Sequence, residues 1–326
     1  MSLPTFSSTT TADEVAATFS ANIREKNVLI TGTSLNGLGF ETARVIAKYA
    51  NLVIITGYNV QRLALSEEAI KRDVPSANIR CLSLNLSSLS DVRTAAAEVN
   101  AYPEPLHVLI HNAAKPVSPF ELTTDGLESQ MATDHIGPFL FIKLLMPKLL
   151  AAGTAPRVVF LSSSAHAAGT GVNFKTFGNP DPTIYHPFET YFQAKSANIL
   201  TAIELSKRSN GRINAYSVHP GVIYTNILQK EESLTELQAF DILGPDGKPN
   251  TDKFEWKTIP QGAASSSTKY ISIPFGSDIS LVGVPGVYIC DSNEANKEIA
   301  PSSCDPDNAE KLWSMTEEII GEKFTF

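Results

Sequence analysis

Short apolar runs alternate along the chain with longer stretches of helical period. The runs are Val28 to Ile30, Leu52 to Ile55, Arg80 to Leu84, His107 to His111, Arg157 to Leu161, Ile213 to Val218 and Gly286 to Ile289. Near-continuous hydrophobicity over so few residues suits strands covered on both faces, as in a parallel sheet with helical crossovers. The pattern therefore predicts one doubly wound α/β domain around a parallel sheet of about seven strands. Asp13 to Ile23 reads as a lead-in helix capped by Thr11, and Asn308 to Ile320 as a terminal helix. Residues 1–24 are accordingly an N-terminal extension and 25–326 the domain itself.

Two stretches break the alternation. Residues 167–188 are rich in Gly, Pro and aromatics, and residues 223–256 mix helix and loop signals. Both follow strand ends, where open α/β sheets bind their ligands, so they read as an insertion and a substrate loop forming the walls and lid of a pocket. The most apolar stretch, Ile136 to Gly153, is interrupted by Lys143, Lys148, Pro138 and Pro147, which fits a buried core helix and not a membrane span.

With 326 residues, 43% of them hydrophobic, the chain can bury a sizeable core. The net charge of −8 is spread without a basic stripe, which argues against nucleic acid or anionic membrane as partner and for a small molecule. Cys81, Cys290 and Cys304 have neither metal-ligand spacing nor an even number, the pattern of a reducing compartment. The polar start, Met1 to Thr11, lacks a secretory signal, so a cytoplasmic location is expected.

Candidate chemistry begins after the first strand, in Asn27-Val-Leu-Ile-Thr-Gly-Thr-Ser-Leu-Asn-Gly-Leu-Gly-Phe-Glu-Thr-Ala. Gly32, Gly37 and Gly39 let the backbone turn tightly and approach a pyrophosphate, with Ser34, Asn36 and Leu38 in the same loop; a helix N-terminus would stabilise the charge. An acid holding the ribose 2′-hydroxyl of NAD is expected about 20 residues on. None occurs between Thr42 and Ser66; the strand ends Thr56-Gly57-Tyr58-Asn59, and Arg62 follows. NADP(H) is therefore favoured over NAD(H).

Further on, Arg157-Val-Val-Phe-Leu-Ser-Ser-Ser-Ala-His166 is a strand ending in three serines, and Tyr191 precedes Lys195 by one helical turn. A free tyrosine titrates near 10, so it exchanges protons at neutral pH only beside a cation that favours phenolate. Lys195 supplies that cation, and a serine hydroxyl would orient a substrate oxygen.

In this order the pieces resemble the short-chain dehydrogenase/reductase family from about Asn27 to Cys290, and more narrowly the branch of retinol dehydrogenases, protochlorophyllide reductases and related fungal enzymes. Gly-Leu-Gly-Phe-Glu-Thr-Ala, Ser-Ser-Ser-Ala-His, Lys-Ser-Ala-Asn-Ile-Leu and His219-Pro-Gly-Val-Ile-Tyr-Thr225 carry the likeness. The resemblance implies a Rossmann-type fold, Tyr191 as acid-base, Lys195 as its partner that also binds the ribose, and Ser163 as the orienting hydroxyl, with Ser162 and Ser164 as alternatives. It assigns cofactor contact to Tyr58, Asn59, Asn85, Leu86, Asn112, Ala113, Pro220, Gly221, Val222 and Thr225.

Four departures stand out. One extra residue lies between Gly32 and Gly37; Ala114 replaces a glycine; Asn85 replaces an aspartate; and Asp134 takes the place of the asparagine that completes the family's catalytic tetrad. An ionised Asp134 would pair with Lys195 and oppose the phenolate form of Tyr191. His135, His166 and His219 lie on different elements without ligand spacing, so no metal site is expected. Phe174, Phe177, Tyr185, Phe188, Ile223, Tyr224 and Leu228 make the expected pocket walls apolar. The reading is an NADP(H)-dependent oxidoreductase acting on a hydrophobic ketone or aldehyde and its alcohol. Carbon-carbon double-bond reduction and a catalytically weak nucleotide sensor are the alternatives. By resemblance, a homodimer would pair through Ile136 to Leu150 and Tyr191 to Ser206.

Overall fold

The computed structural model describes residues 5–153, 156–267 and 286–326. Its strands are β1 (Asn27–Ile30), β2 (Leu52–Gly57), β3 (Ile79–Ser83), β4 (Val108–His111), β5 (Arg157–Leu161), β6 (Asn214–His219), β7 (Val222–Ile223), β8 (Trp256–Lys257), β9 (Val287–Cys290) and β10 (Asn293–Glu294). Helices of seven residues or more are α1 (Ala12–Thr18), α2 (Leu38–Ala47), α3 (Val60–Asp73), α4 (Leu89–Ala101), α5 (Gly137–Leu150), α6 (Pro187–Arg208), α7 (Glu231–Ala239), α8 (Ile259–Ser267) and α9 (Pro306–Ile320).

Eight strands form the main sheet in the order β10-β9-β6-β5-β4-β1-β2-β3. All pair in parallel except β10 on β9. Side chains explain the continuous hydrophobicity of the strands. Leu29, Leu109, Val158 and Phe160 enter the core under α4, α5, α6 and α9, whereas Val28, Ile30, Ile110 and Val159 enter the one under α2 and α8. The order reverses between β1 and β4, so a crevice opens beyond their carboxyl ends.

The seven expected strands are present with ends that differ by at most two residues, at β2, and the antiparallel β10 is an addition. Asp291 and Ser292, both left-handed at φ 49° and 60°, form a two-residue turn that folds β10 back on β9. Its polar Asn293-Glu294 carries no apolar signal. The lead-in helix begins with the expected Thr11 cap, a reciprocal capping box with Glu14, but breaks at Phe19. Phe6, Val15 and Phe19 then close a small cluster on Ala264 of α8.

At the other end Asp305 caps α9, which lies along α6. Trp313 of α9 is buried, with ring centroids 4.7 Å from Phe139 and 4.7 Å from Phe324. Among the described residues no helix is long and apolar enough to cross a membrane.

Candidate active site

A cleft of about 1010 Å³ runs along the carboxyl ends of the strands, from Tyr58 and Arg62 past the glycine loop to Ser163, Tyr191 and Lys195. It continues between Val117, Phe188, Phe192, Leu237, Phe240 and Phe254.

Its floor is the β1–α2 loop. Gly32 has φ +70°, and a Cβ there would stand 2.7 Å from the Ala113 backbone, so glycine alone allows the ends of β1 and β4 to meet. Asn112 secures that meeting by donating from Nδ2 to the carbonyls of Thr31 (2.9 Å) and Gly32 (2.8 Å). Thr31 Oγ1 accepts from the amides of Asn112 and Ala113. The extra residue of the loop is absorbed at Asn36, which is left-handed at φ 61°. Gly37 then precedes α2, whose first amides, free of helical partners, head the cleft wall. Asn226 Nδ2 donates to Leu35 O at 2.9 Å, strapping the loop to the segment after β7.

Tyr191 and Lys195 lie on α6, with Lys195 Nζ 5.2 Å from the Tyr191 ring centroid. Lys195 is buried, and its Nζ donates to Asp134 Oδ2 at 2.9 Å; Asp134 Oδ1 accepts from the Lys115 amide at 2.7 Å. Burial alone would lower the lysine's pKa, but the Asp134 charge and hydrogen bond outweigh it and raise it above the ordinary value. Asp134 itself sits in a π-helical turn, Ala132–Ile136, ahead of α5, the kind of widened turn that often marks a functional site.

The three serines separate by their partners. Ser162 is buried and its hydroxyl donates to the Lys195 carbonyl at 2.7 Å. Ser164 is exposed, and its amide donates to His219 Nδ1. Ser163 Oγ accepts from the Ala165 amide at 3.2 Å, leaving its hydroxyl proton available to the cleft that it lines. Two of the histidines are tied into the framework, His166 to the Ser163 carbonyl and the Ala300 amide and His135 to Thr316 Oγ1, whereas His219 lines the cleft. Burial pushes His219 down to about 4.

Of the expected cofactor residues, Gly32, Ser34, Gly37, Leu38, Tyr58, Asn85, Leu86, Asn112, Ala113, Pro220, Gly221, Val222 and Thr225 line the cleft, with Tyr191 and Lys195. Asn36 and Asn59 do not. The first makes the turn, and the second caps α3 by accepting from the Arg62 amide.

Among the expected walls, Phe188, Ile223 and Leu228 line the cleft. The other four do not. Phe177 is in the main core, 5.7 Å from His135, and Phe174 packs there under Lys311. Tyr185 donates to the Ser118 carbonyl, and Tyr224 packs on Trp256. Their places are taken by Val117, Phe192, Leu237, Phe240, Ile242 and Phe254. The i, i+3 spacing of Leu237 and Phe240 was the available sequence signal.

Comparison with known proteins matches this arrangement. Residues 26–174 fit the family described as short chain dehydrogenase. The Brassica napus protein named short-chain dehydrogenase TIC 32 B, chloroplastic, is 35% identical over 327 residues, spanning 97% of this chain and 94% of its own. Retinol dehydrogenase 12 of Mus musculus is 30% identical over 305 residues, spanning 93% of this chain and 89% of its own. A crystal structure of a Mycobacterium paratuberculosis protein superposes with a TM-score of 0.64 at 25% identity, covering 94% of this chain and 98% of that one. Full-length likeness to these relatives, on a Rossmann sheet with the glycine loop and the Tyr191–Lys195 helix in their expected places, means that the chain belongs to the short-chain dehydrogenase/reductase family.

Proposed function

We propose that this protein is an NADP(H)-dependent oxidoreductase that interconverts a hydrophobic ketone or aldehyde and its alcohol. The observation that carries the reading is the buried Lys195, held charged by Asp134 and set beside Tyr191 in the wall of the cleft.

The residues present fit a nicotinamide dinucleotide. Gly32, Gly37 and Leu38, at the α2 N-terminus, line the same cleft as Tyr191 and Lys195, so a pyrophosphate at the helix start and a ring beside the tyrosine share one cavity. Arg62 is exposed at the rim, without an ion-pair partner among the described residues, where a 2′-phosphate would be received. When bound, the cofactor supplies the hydride.

The chain's own groups do the rest. Ser163 donates a hydrogen bond to the substrate oxygen and holds it toward Tyr191. Tyr191 gives its phenolic proton to that oxygen in reduction and takes it back in oxidation. The Lys195 ammonium lowers the cost of the phenolate so formed, while Asp134 keeps Lys195 charged and in place. Val117, Phe188, Phe192 and Leu237 exclude water and select apolar substrates. The three thiols, Cys81, Cys290 and Cys304, are free, in keeping with a cytoplasmic setting.

Titration of NADPH and NADH, followed by NADPH oxidation with a panel of hydrophobic aldehydes and ketones, tests the proposal. Tighter NADPH binding is expected, together with turnover that falls about 10²–10⁴-fold in Tyr191→Phe, the worth of positioned proton transfer. In Arg62→Ala the NADPH Kd is expected to rise about tenfold, with little change for NADH. Tight binding without turnover across the panel would contradict the reading.

A further inference from the structure

The cleft has a one-sided charge. Arg62, Lys115, Lys195, Lys230 and Lys253 line it, yet among the described residues no Asp or Glu side chain does, in a protein whose net charge is −8. Arg62 stands at the nucleotide rim, and Lys195 is bound to Asp134. That leaves three lysines by the apolar walls. Lys115 pairs with Glu121 and Lys253 with Asp241, whose side chains are 65% and 70% exposed, so these are weak surface pairs.

Lys230 differs. It is half-buried, immediately before α7, and its ammonium has no ion-pair or hydrogen-bond partner among the described residues. The next two residues, Glu231 and Glu232, are exposed and do not line the cleft. Just beyond, Ser233 donates to the Val117 carbonyl at 2.6 Å, fixing the start of α7 against the apolar wall. A half-buried lysine that lines the same cleft as Leu228, Leu237 and Val117, with its charge left free, is a receptor for a carboxylate or phosphate at the end of an apolar chain.

We infer that the substrate is an amphiphile: an apolar body bearing the reacting carbonyl or alcohol, with an anionic terminus seated on Lys230 and supported by Lys115 and Lys253. This rests on the carbonyl-reductase reading and narrows its substrate class.

The test needs no turnover. Binding of decanoate and of 1-decanol to the NADPH complex is followed by the fluorescence of bound NADPH. Decanoate is expected to bind at least about tenfold more tightly, as a charge-assisted hydrogen bond in a water-poor wall requires. The preference should fall to near unity in Lys230→Met, which keeps the apolar stem, and return in Lys230→Arg. Equal binding of the two, no binding of either, or a preference that survives Lys230→Met would overturn the inference. So would an effect of Lys230→Met on NADPH Kd alone, which would assign the lysine to the nucleotide.

Kinetics with ω-oxodecanoate and its methyl ester then separate the two claims. Selective binding without turnover of either removes the reductase and leaves the anion site. Turnover of both with equal kcat/KM keeps the reductase and removes the anion site.

Discussion

Replacing Asp134 by Asn keeps the shape of the buried pair but removes one charge. One of its two contacts, to Lys195 Nζ at 2.9 Å or to the Lys115 amide at 2.7 Å, must then face an amide NH₂ in place of an oxygen. The 5.2 Å from the Tyr191 ring centre to Nζ and the 2.9 Å from Nζ to Oδ2 bound the carboxylate within about 8 Å of the ring centre. At an effective dielectric constant near 20, a unit charge at about 8 Å acts with about 2 kcal/mol, or about 1.5 pH units. A negative charge disfavours phenolate, so its removal makes proton abstraction by the site easier. The acid limb of kcat/KM for alcohol oxidation should therefore move about 1–1.5 pH units lower in Asp134→Asn. The assay is the full pH–rate profile of both proteins with NADP⁺ and one alcohol. An unchanged midpoint would refute the electrostatic argument. A shift to higher pH would refute it too, by showing that Lys195 loses its proton without Asp134.

Three further outcomes are expected. His111 is fully buried without a hydrogen-bond partner, 5.3 Å from the Phe160 ring, and burial pushes its pKa down to about 3. The unfolded chain binds that proton from about pH 6.5 downward, so stability falls as pH drops between about 6.5 and 3. Urea unfolding of His111→Phe should show that slope reduced by about 1.4 kcal/mol per pH unit between pH 6 and 4, and an identical slope would contradict the burial argument. A Cβ at Gly39 would stand 2.3 Å from Asn112 Nδ2, which is itself fixed by two hydrogen bonds. Gly39→Ala is therefore expected to cost about 1–3 kcal/mol and to weaken NADPH binding, and wild-type values in urea and in titration would count against this account of the loop. Because α9 packs along α6, one of the two helices that the resemblance assigns to dimerisation, light scattering is expected to give the monomer mass of 35.2 kDa, and a stable dimer would show that α9 leaves a pairing surface open.

Most of the sheet was legible because strands buried on both faces must be apolar throughout, and Leu29, Leu109 and Phe160 on one side and Val28, Ile110 and Val159 on the other satisfy that demand. β10 was invisible because two polar residues join the sheet through backbone geometry alone. Gly32, Tyr191 and Lys195 line one cleft as expected, because their placement follows from local spacing after a strand and along a helix. The three serines look alike in sequence, and the bond that ties the Ser162 hydroxyl to the Lys195 carbonyl comes from 33 residues away. Phe174 and Phe177 were misplaced for a similar reason. An aromatic in a loop can turn toward a cleft or under a helix, and here α9, arriving from the far end of the chain, supplied the deeper site. The ion pair of Asp134 with Lys195 was anticipated from the residue types, but the π-helical turn that carries Asp134 leaves no mark in the sequence.

The central claim is hydride exchange at a carbonyl carbon served by Tyr191. Its most direct test is mass spectrometry of the products formed from NADPH deuterated at the nicotinamide C4 with a mixed panel of ketones, aldehydes and enones. Deuterium on the former carbonyl carbon, lost in Tyr191→Phe, is the expected result. Deuterium at the β-carbon of an enone, or none in any product while NADPH binds tightly, would contradict it.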